Sequence, residues 1–505
     1  MAENTGLLSI GTDISHISEV SEEFNLPDYV AEIRKVLSVV GEALPEGKYI
    51  EDKGEGSSLE LNGSVTYSVA YTDDEGKLFS IPLNSSYQVK IPIALGSRVL
   101  SYTTTVESVS CRVMAKRKLS LKARLKTRIL SFVDAKLPDA TGLGSSADEM
   151  FMERKLTRVK AMRVLPCSLD NIRISDKLDT EQGKSITPLW CDAKVMINET
   201  RVQADMVTVR AEACIKCLIN KEGEISVIEK RLPLNEVIEV EGAAAEDMVR
   251  IESRCVSLSI SNEESDKSNQ LFFDLTCELL GEVIKAAEAE LVEDAYSTKN
   301  EMELSYKDAT AYRGVRAASS SISLSQAIKK DTEDLDRVIE VFAHPVYEKT
   351  ETKGAKAYIC GKVNVTILGQ GQPDENGYRE YIAKAAEIPF RQEIDMGKVV
   401  DEPVSFVSLF VGNTSGKAEG DSIYISMELY TSYALYGKES KRVVEKCTIK
   451  RDKEISRDNS SLRVYFPKEG DTLWEIAKKY HTTKGRIMSE NGLEKEEAPT
   501  HAIIV

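Results

Sequence analysis

One pattern recurs three times along this chain. Leu59-Glu60-Leu61-Asn62-Gly63-Ser64-Val65-Thr66-Tyr67-Ser68-Val69-Ala70-Tyr71 is apolar mainly at odd positions and is followed by Asp73-Asp74-Glu75-Gly76. Val207 to Cys217 repeats the alternation before Asn220-Lys221-Glu222-Gly223, and Ala357 to Ile367 before Asp374-Glu375-Asn376-Gly377. A period of two marks a strand with one buried face, and a glycine at each reversal suits a hairpin. The turn glycines, at 76, 223 and 377, are 147 and 154 residues apart. A solenoid repeats every ~20–50 residues, so the spacing points to tandem domains.

The flanking segments repeat too. A return strand with a proline follows each hairpin: Ile81-Pro82-Leu83, Leu232-Pro233-Leu234 and Ile388-Pro389-Phe390. Next come Val106–Val109, Ile251–Arg254 and Val404–Val407, then closing strands over 119–125, 271–279 and 423–429. Upstream, Ile14–Ser18, Ile172–Ser175 and Ile322–Ser325 correspond. Each unit is expected to be a small antiparallel sheet or sandwich. Residues 146–160 and 282–296, between units, read as helical or mixed.

The last forty residues follow different rules. Gly470 permits a sharp turn, and Asp471 or Thr472 can cap a helix. Leu473, Ile476, Ala477 and Tyr480 fall on one helical face, and Asn491-Gly492 ends a second helix. This stretch resembles a LysM module, a βααβ unit that binds N-acetylglucosamine-type glycans or another protein. The resemblance places a recognition groove at Gly470, Asp471, Thr472, Leu473, Trp474, Asn491, Gly492 and Leu493. Leu473 and Ile476 also suit a core, whereas an exposed Trp474 would be a recognition anchor. Glycan-binding modules usually end in a Gly-Gln-x-Leu-type strand. Here the end is Thr500-His501-Ala502-Ile503-Ile504-Val505, preceded by the charged run Glu494–Glu497.

The whole chain is therefore expected to be mainly β: repeats over 1–135, 150–297 and 303–455, then a LysM unit over 462–505. Three such units before a LysM module resemble the SPOCS-domain family, in the layout of SipL-type spore-coat morphogenetic proteins. The paired alternating strands, the acidic-glycine turns and Asp294-Ala295-Tyr296-Ser297-Thr298 carry that resemblance. It implies a noncatalytic adaptor in the mother-cell cytoplasm at the forespore surface. Its LysM unit would dock a SpoIVA-like coat-basement ATPase, other coat proteins could join, and peripheral contact with the forespore membrane fits. Peptidoglycan binding is the alternative.

Composition narrows the field. A net charge of −16 opposes broad nucleic-acid binding, which needs clustered cations. The N-terminus lacks the cationic and apolar regions of a secretory signal, and no run reaches the ~18 apolar residues of a membrane span. Nine cysteines, an odd number scattered through apolar runs, suit a reducing compartment. Cys214-Ile215-Lys216-Cys217 has CxxC spacing, but within a strand its thiols face opposite sides, so structural thiols are the better reading.

A basic stripe stands out against this acidic background. Lys116, Lys118, Lys122, Arg124, Lys126 and Arg128 all occupy even positions, opposite Leu119, Leu121, Ala123 and Leu125. Such a face could meet an acidic protein or anionic lipid, or pair with acids on neighbouring strands. Gly142–Ala147 resembles a small-molecule kinase phosphate loop, but a flexible linker accounts for it. Four histidines, at 16, 344, 481 and 501, show no triad or metal spacing, so no catalytic residue, metal or cofactor is expected.

Overall fold

The computed structural model describes residues 6–53, 56–138, 151–178, 186–221, 223–265, 268–330, 335–375, 377–456, 462–495 and 501–505. The glycine-rich run 142–147 and residues 146–150 lie outside these.

The first unit contains β1 (Leu8–Asn25), β2 (Lys35–Lys53), β3 (Gly56–Thr72), β4 (Leu78–Ile93), β5 (Val99–Ala115) and β6 (Lys118–Asp134). The second contains β7 (Met152–Leu178), β8 (Ile186–Gln203), β9 (Met206–Lys221), β10 (Glu224–Glu239), β11 (Met248–Ser265) and β12 (Ser268–Ser297). The third contains β13 (Asn300–Lys329), β14 (Arg337–Lys353), β15 (Lys356–Pro373), β16 (Arg379–Asp395), β17 (Val404–Glu419) and β18 (Ser422–Glu454). All pairings are antiparallel.

Each unit is a sandwich of two three-stranded sheets, ordered β2-β3-β4 and β1-β6-β5 in the first and repeated in the others. Its alternating strands face one another across a private core. Leu59, Leu61, Val65, Tyr67 and Tyr71 of β3 pack with Leu119, Leu121 and Leu125 of β6. Val207 to Ile219 of β9 and Ile359 to Ile367 of β15 do the same in their units. The turn glycines adopt φ values of +77°, +97° and +82°, a region that side chains with a Cβ rarely enter. Asp73 and Asp374 brace two of these turns identically, each accepting through Oδ1 from the amide four residues on, at 2.8 Å.

The three sandwiches close into a ring around an approximate threefold axis, with β4 beside β8, β10 beside β14, and β16 beside β2. A shared cluster on the axis takes Ala70 and Leu78, Leu218 and Ile225, and Phe342, Leu368 and Tyr381 from the three units in turn. A second joins Leu8 and Phe132, Met162 and Ile284, and Phe406 and Tyr436. Leu8 also pairs with Met162, so the first two units share one six-stranded sheet.

The strands that bound each unit differ in length. β1 and β6 have 18 and 17 residues, whereas β7, β12, β13 and β18 have 27, 30, 30 and 33. The surplus builds an arm of two ribbons, β7–β12 and β13–β18. It has its own apolar filling: Val159, Ala161, Ala289, Leu291, Ala309, Ala311 and Val443, then Val292, Ala295, Val444, Met302 and Tyr306. This corrects the helical reading of 282–296, which lies wholly within β12. Alanine and glutamate there favour a helix locally, but Val283, Ala289 and Leu291 bury alternate positions along the ladder to β7. Residues 152–160 are likewise strand.

Candidate functional site: the C-terminal head and its seat

The C-terminal unit is built as β19 (Val464–Tyr465), α1 (Leu473–Lys479), α2 (Lys484–Asn491) and β20 (Ile503–Ile504), the two strands pairing antiparallel. Gly470 turns the chain at φ +93°. Thr472 caps α1: its Oγ1 accepts from the Glu475 amide at 3.2 Å, and Glu475 accepts from the Thr472 amide, a reciprocal capping box. Asp471 braces the turn instead, accepting from Tyr465 Oη at 2.7 Å and the Lys468 amide at 2.8 Å. That amide, then the tyrosine hydroxyl, holds the Asp471 carboxyl below its ordinary range. Gly492 closes α2 at φ +60°.

Among the expected groove residues, Gly470, Thr472 and Gly492 are exposed. Leu473 is core, sharing a cluster with Ile476, Ile487 and Ile503, against which Leu493 packs half-buried. Asn491 ties α2 to β20: its amide nitrogen donates to Ile487 and Ile504 carbonyls at 2.8 Å, and its oxygen accepts from the Ile504 amide at 2.7 Å.

Trp474 is only 7% exposed, unlike the exposed anchor expected from its polar neighbours. Its ring meets Tyr296 edge-on with centroids 5.0 Å apart, and its indole N–H donates to Asp294 Oδ2 at 2.9 Å. Lys478, one helical turn on, reaches both Asp294 oxygens at 2.7 Å. Tyr306 Oη and the Ala295 amide complete the carboxylate's partners at 3.0 and 2.9 Å. Burial by itself would raise the Asp294 carboxyl, but the hydrogen bonds from Lys478, Trp474 and Tyr306 prevail and hold it below its usual value. Tyr296 Oη donates to the Thr482 carbonyl at 2.8 Å. Asp294 and Tyr296 end β12, so the head sits on the tip of the arm. Residues 294–298, which carry part of the family resemblance, thus include the head's seat.

The basic stripe has acids for every cation. Lys116 pairs with Asp74 at 2.6 Å and Glu32 at 3.2 Å, Lys118 with Glu23 at 2.6 Å, and Lys122 with Glu19 at 2.7 Å. Arg124 and Lys126 share Glu107 at 3.1 and 3.6 Å. Arg128 reaches Asp13 at 3.4 Å, donates to the Ser405 carbonyl and lies over the Tyr347 ring. Its inner end therefore joins the first unit to the third.

Cys217 meets Cys191 on the adjacent strand, their sulfurs 2.9 Å apart, while Cys214 is half-buried elsewhere. No group of three or more metal-ligating side chains converges among the described residues. No helix among them is long and apolar enough to cross a membrane.

Comparison with family models finds two modules. The SipL SPOCS-domain family matches residues 185–261, and the LysM domain family matches residues 468–496. No curated protein matches the chain. The first match covers most of one ring sandwich, β8 to β11, and the second covers the head from its first turn through α2.

The chain thus carries one segment that matches the SPOCS domain family and one that matches the LysM domain family, a combination that fits a sporulation-related role.

Proposed function

We propose that the protein is a noncatalytic adaptor in spore-coat assembly. Its ring of sandwiches is the scaffold, and its LysM head docks a coat-basement ATPase of the SpoIVA type. Residence in the mother cell, at the forespore surface, follows from that role. The observation that supports it most is how the head is used. One side, through Trp474 and Lys478, is spent on the arm, whereas Gly470, Thr472 and Gly492 stay exposed as a recognition rim. That rim has few free polar groups for a sugar, because Asn491 and Asp471 already hold backbone amides and carbonyls. A protein surface asks less of them, since shape and apolar contact carry much of such an interface.

Recovery of the ATPase from sporulating cells by the full chain, but not by a chain ending at residue 456, is the expected result. Equal recovery by both rejects the role given to the head. Peptidoglycan binding is the second reading, favoured by the LysM match itself. Tight co-sedimentation of the full chain with purified peptidoglycan, without ATPase recovery, would replace the first reading with the second.

A further inference from the structure

A LysM unit at the end of a chain is easily pictured as a bead on a string. The contacts argue otherwise. Met302 of β13 packs against both the head's core and the arm's core, so the two apolar clusters are continuous. Tyr296 belongs to the head's cluster although it lies on β12. Asp294 gathers five hydrogen bonds, three of them from two residues of α1. A carboxylate that is 20% exposed in its side chain is costly to hold without such partners. With the head removed, Asp294 would keep only Tyr306 and a local amide.

We infer that Asp294 is a positioning residue: it clamps α1 of the head to the arm, so that the recognition rim is presented in one fixed orientation. This inference rests on the head being the docking element. A large partner then meets a surface of head and arm together. Association with a freely swivelling head would first have to freeze its orientation, which lowers affinity without removing a single partner contact. Lys478 and Trp474 are the other half of the clamp, and neither belongs to the exposed rim.

The test uses the full chain. It has two tryptophans, so the two indole N–H signals in a ¹⁵N spectrum are assigned with Trp190→Phe. In the parent chain the Trp474 indole should relax as slowly as the ring of sandwiches. In Asp294→Ala, and more weakly in Lys478→Ala, it should move toward the free-indole shift and relax fast, while Trp190 stays unchanged. Asp294→Asn, which keeps an acceptor for the indole, should fall between. Recovery of the coat ATPase should drop about tenfold in Asp294→Ala.

A Trp474 indole that stays slow in both Asp294→Ala and Lys478→Ala overturns the clamp. A freed head that recovers the ATPase as well as the parent overturns its positioning role. A parent chain that recovers no ATPase strikes the docking reading instead, and the indole relaxation still decides whether the clamp exists.

Discussion

Arg250 and Glu282 face each other in a forked ion pair, Nε to Oε1 at 2.7 Å and Nη2 to Oε2 at 2.9 Å, and both are almost completely buried. The pair belongs to the second unit, but it is finished by the other two. Ser101 of the first unit donates to Glu282 at 3.1 Å, and Tyr436 of the third donates at 3.3 Å. The Phe406 ring lies beneath the guanidinium, 4.7 Å from its centroid. The pair's full set of partners therefore exists only when all three sandwiches are in place.

Removing one member of such a pair strands the other in a dry site. Arg250→Met is expected to cost ~3–5 kcal/mol, read as a drop in the urea midpoint. Arg250→Met with Glu282→Leu should recover part of that loss, because Glu282 no longer stays behind as a charge. Glu252, which Arg250 Nη1 also meets at 3.0 Å, loses that partner and keeps Ser408 and Arg254. A single mutant as stable as the parent would show that the units do not depend on this contact.

On the axis, three equivalent positions of the edge strands hold Glu42, Lys194 and His344, lying opposite Thr66, Cys214 and Asn364. Lys194 reaches Glu42 at 2.9 Å and Asp192 at 3.4 Å. Burial holds His344 below its ordinary imidazole range; Lys194 adds to this and Glu42 opposes it. The folded chain thus resists a proton that the unfolded chain accepts near pH ~6.5. Stability should be full above that value and fall as the pH drops below it. Melting midpoints at pH 7.5 and 5.5 test this, and His344→Asn should flatten the difference. An equally steep difference in the variant would place the titration elsewhere.

The basic stripe should divide into two classes. Lys118→Ala and Lys122→Ala remove exposed pairs and should cost about 0–1 kcal/mol each. Arg128→Ala should cost clearly more, since it deletes a bond and a ring contact to the third unit. Anionic vesicles provide a further check. Binding by the parent chain that Lys118→Ala and Lys122→Ala abolish would show that the stripe meets lipid despite its acids.

The capping box gives a local prediction for the head. Thr472→Ala should destabilise it by ~0.5–2 kcal/mol, seen as earlier loss of the Trp474 signal on heating, with the sandwiches unaffected. Simultaneous melting of head and sandwiches at the lowered temperature would mean that they fold as one unit.

Much of the sandwich architecture could be read along the chain because each central strand buries one face, and Leu59 to Tyr71 announces that in its own alternation. The hairpin turns were equally plain, since Gly76, Gly223 and Gly377 meet a local demand. The ring was not. Its contacts fall on faces turned away from each unit's own core, at Ala70, Leu218 and Leu368 of the central strands and at edge-strand charges such as Glu42 and Lys194. Nothing in the local alternation marks those positions as contacts. The arm was hidden for a related reason: Ala287 to Leu291 has helix-forming residues, and only pairing with distant β7 makes it a strand. In the head, the caps and core were legible over a few residues. The burial of Trp474 was not, because Asp294 lies 180 positions away.

The arm carries a mechanical consequence. Ladder hydrogen bonds lie across the strand direction, and β18 runs without a break from the ring almost to the head. A tug on the head along β18 therefore strains many cross-strand bonds at once, where a tug at right angles would open them one at a time. From Ala287 to Ser297 the ribbon reaches roughly 30 Å at the usual rise per residue. Whatever grips the head is thus held at a set stand-off by a tether that resists shear.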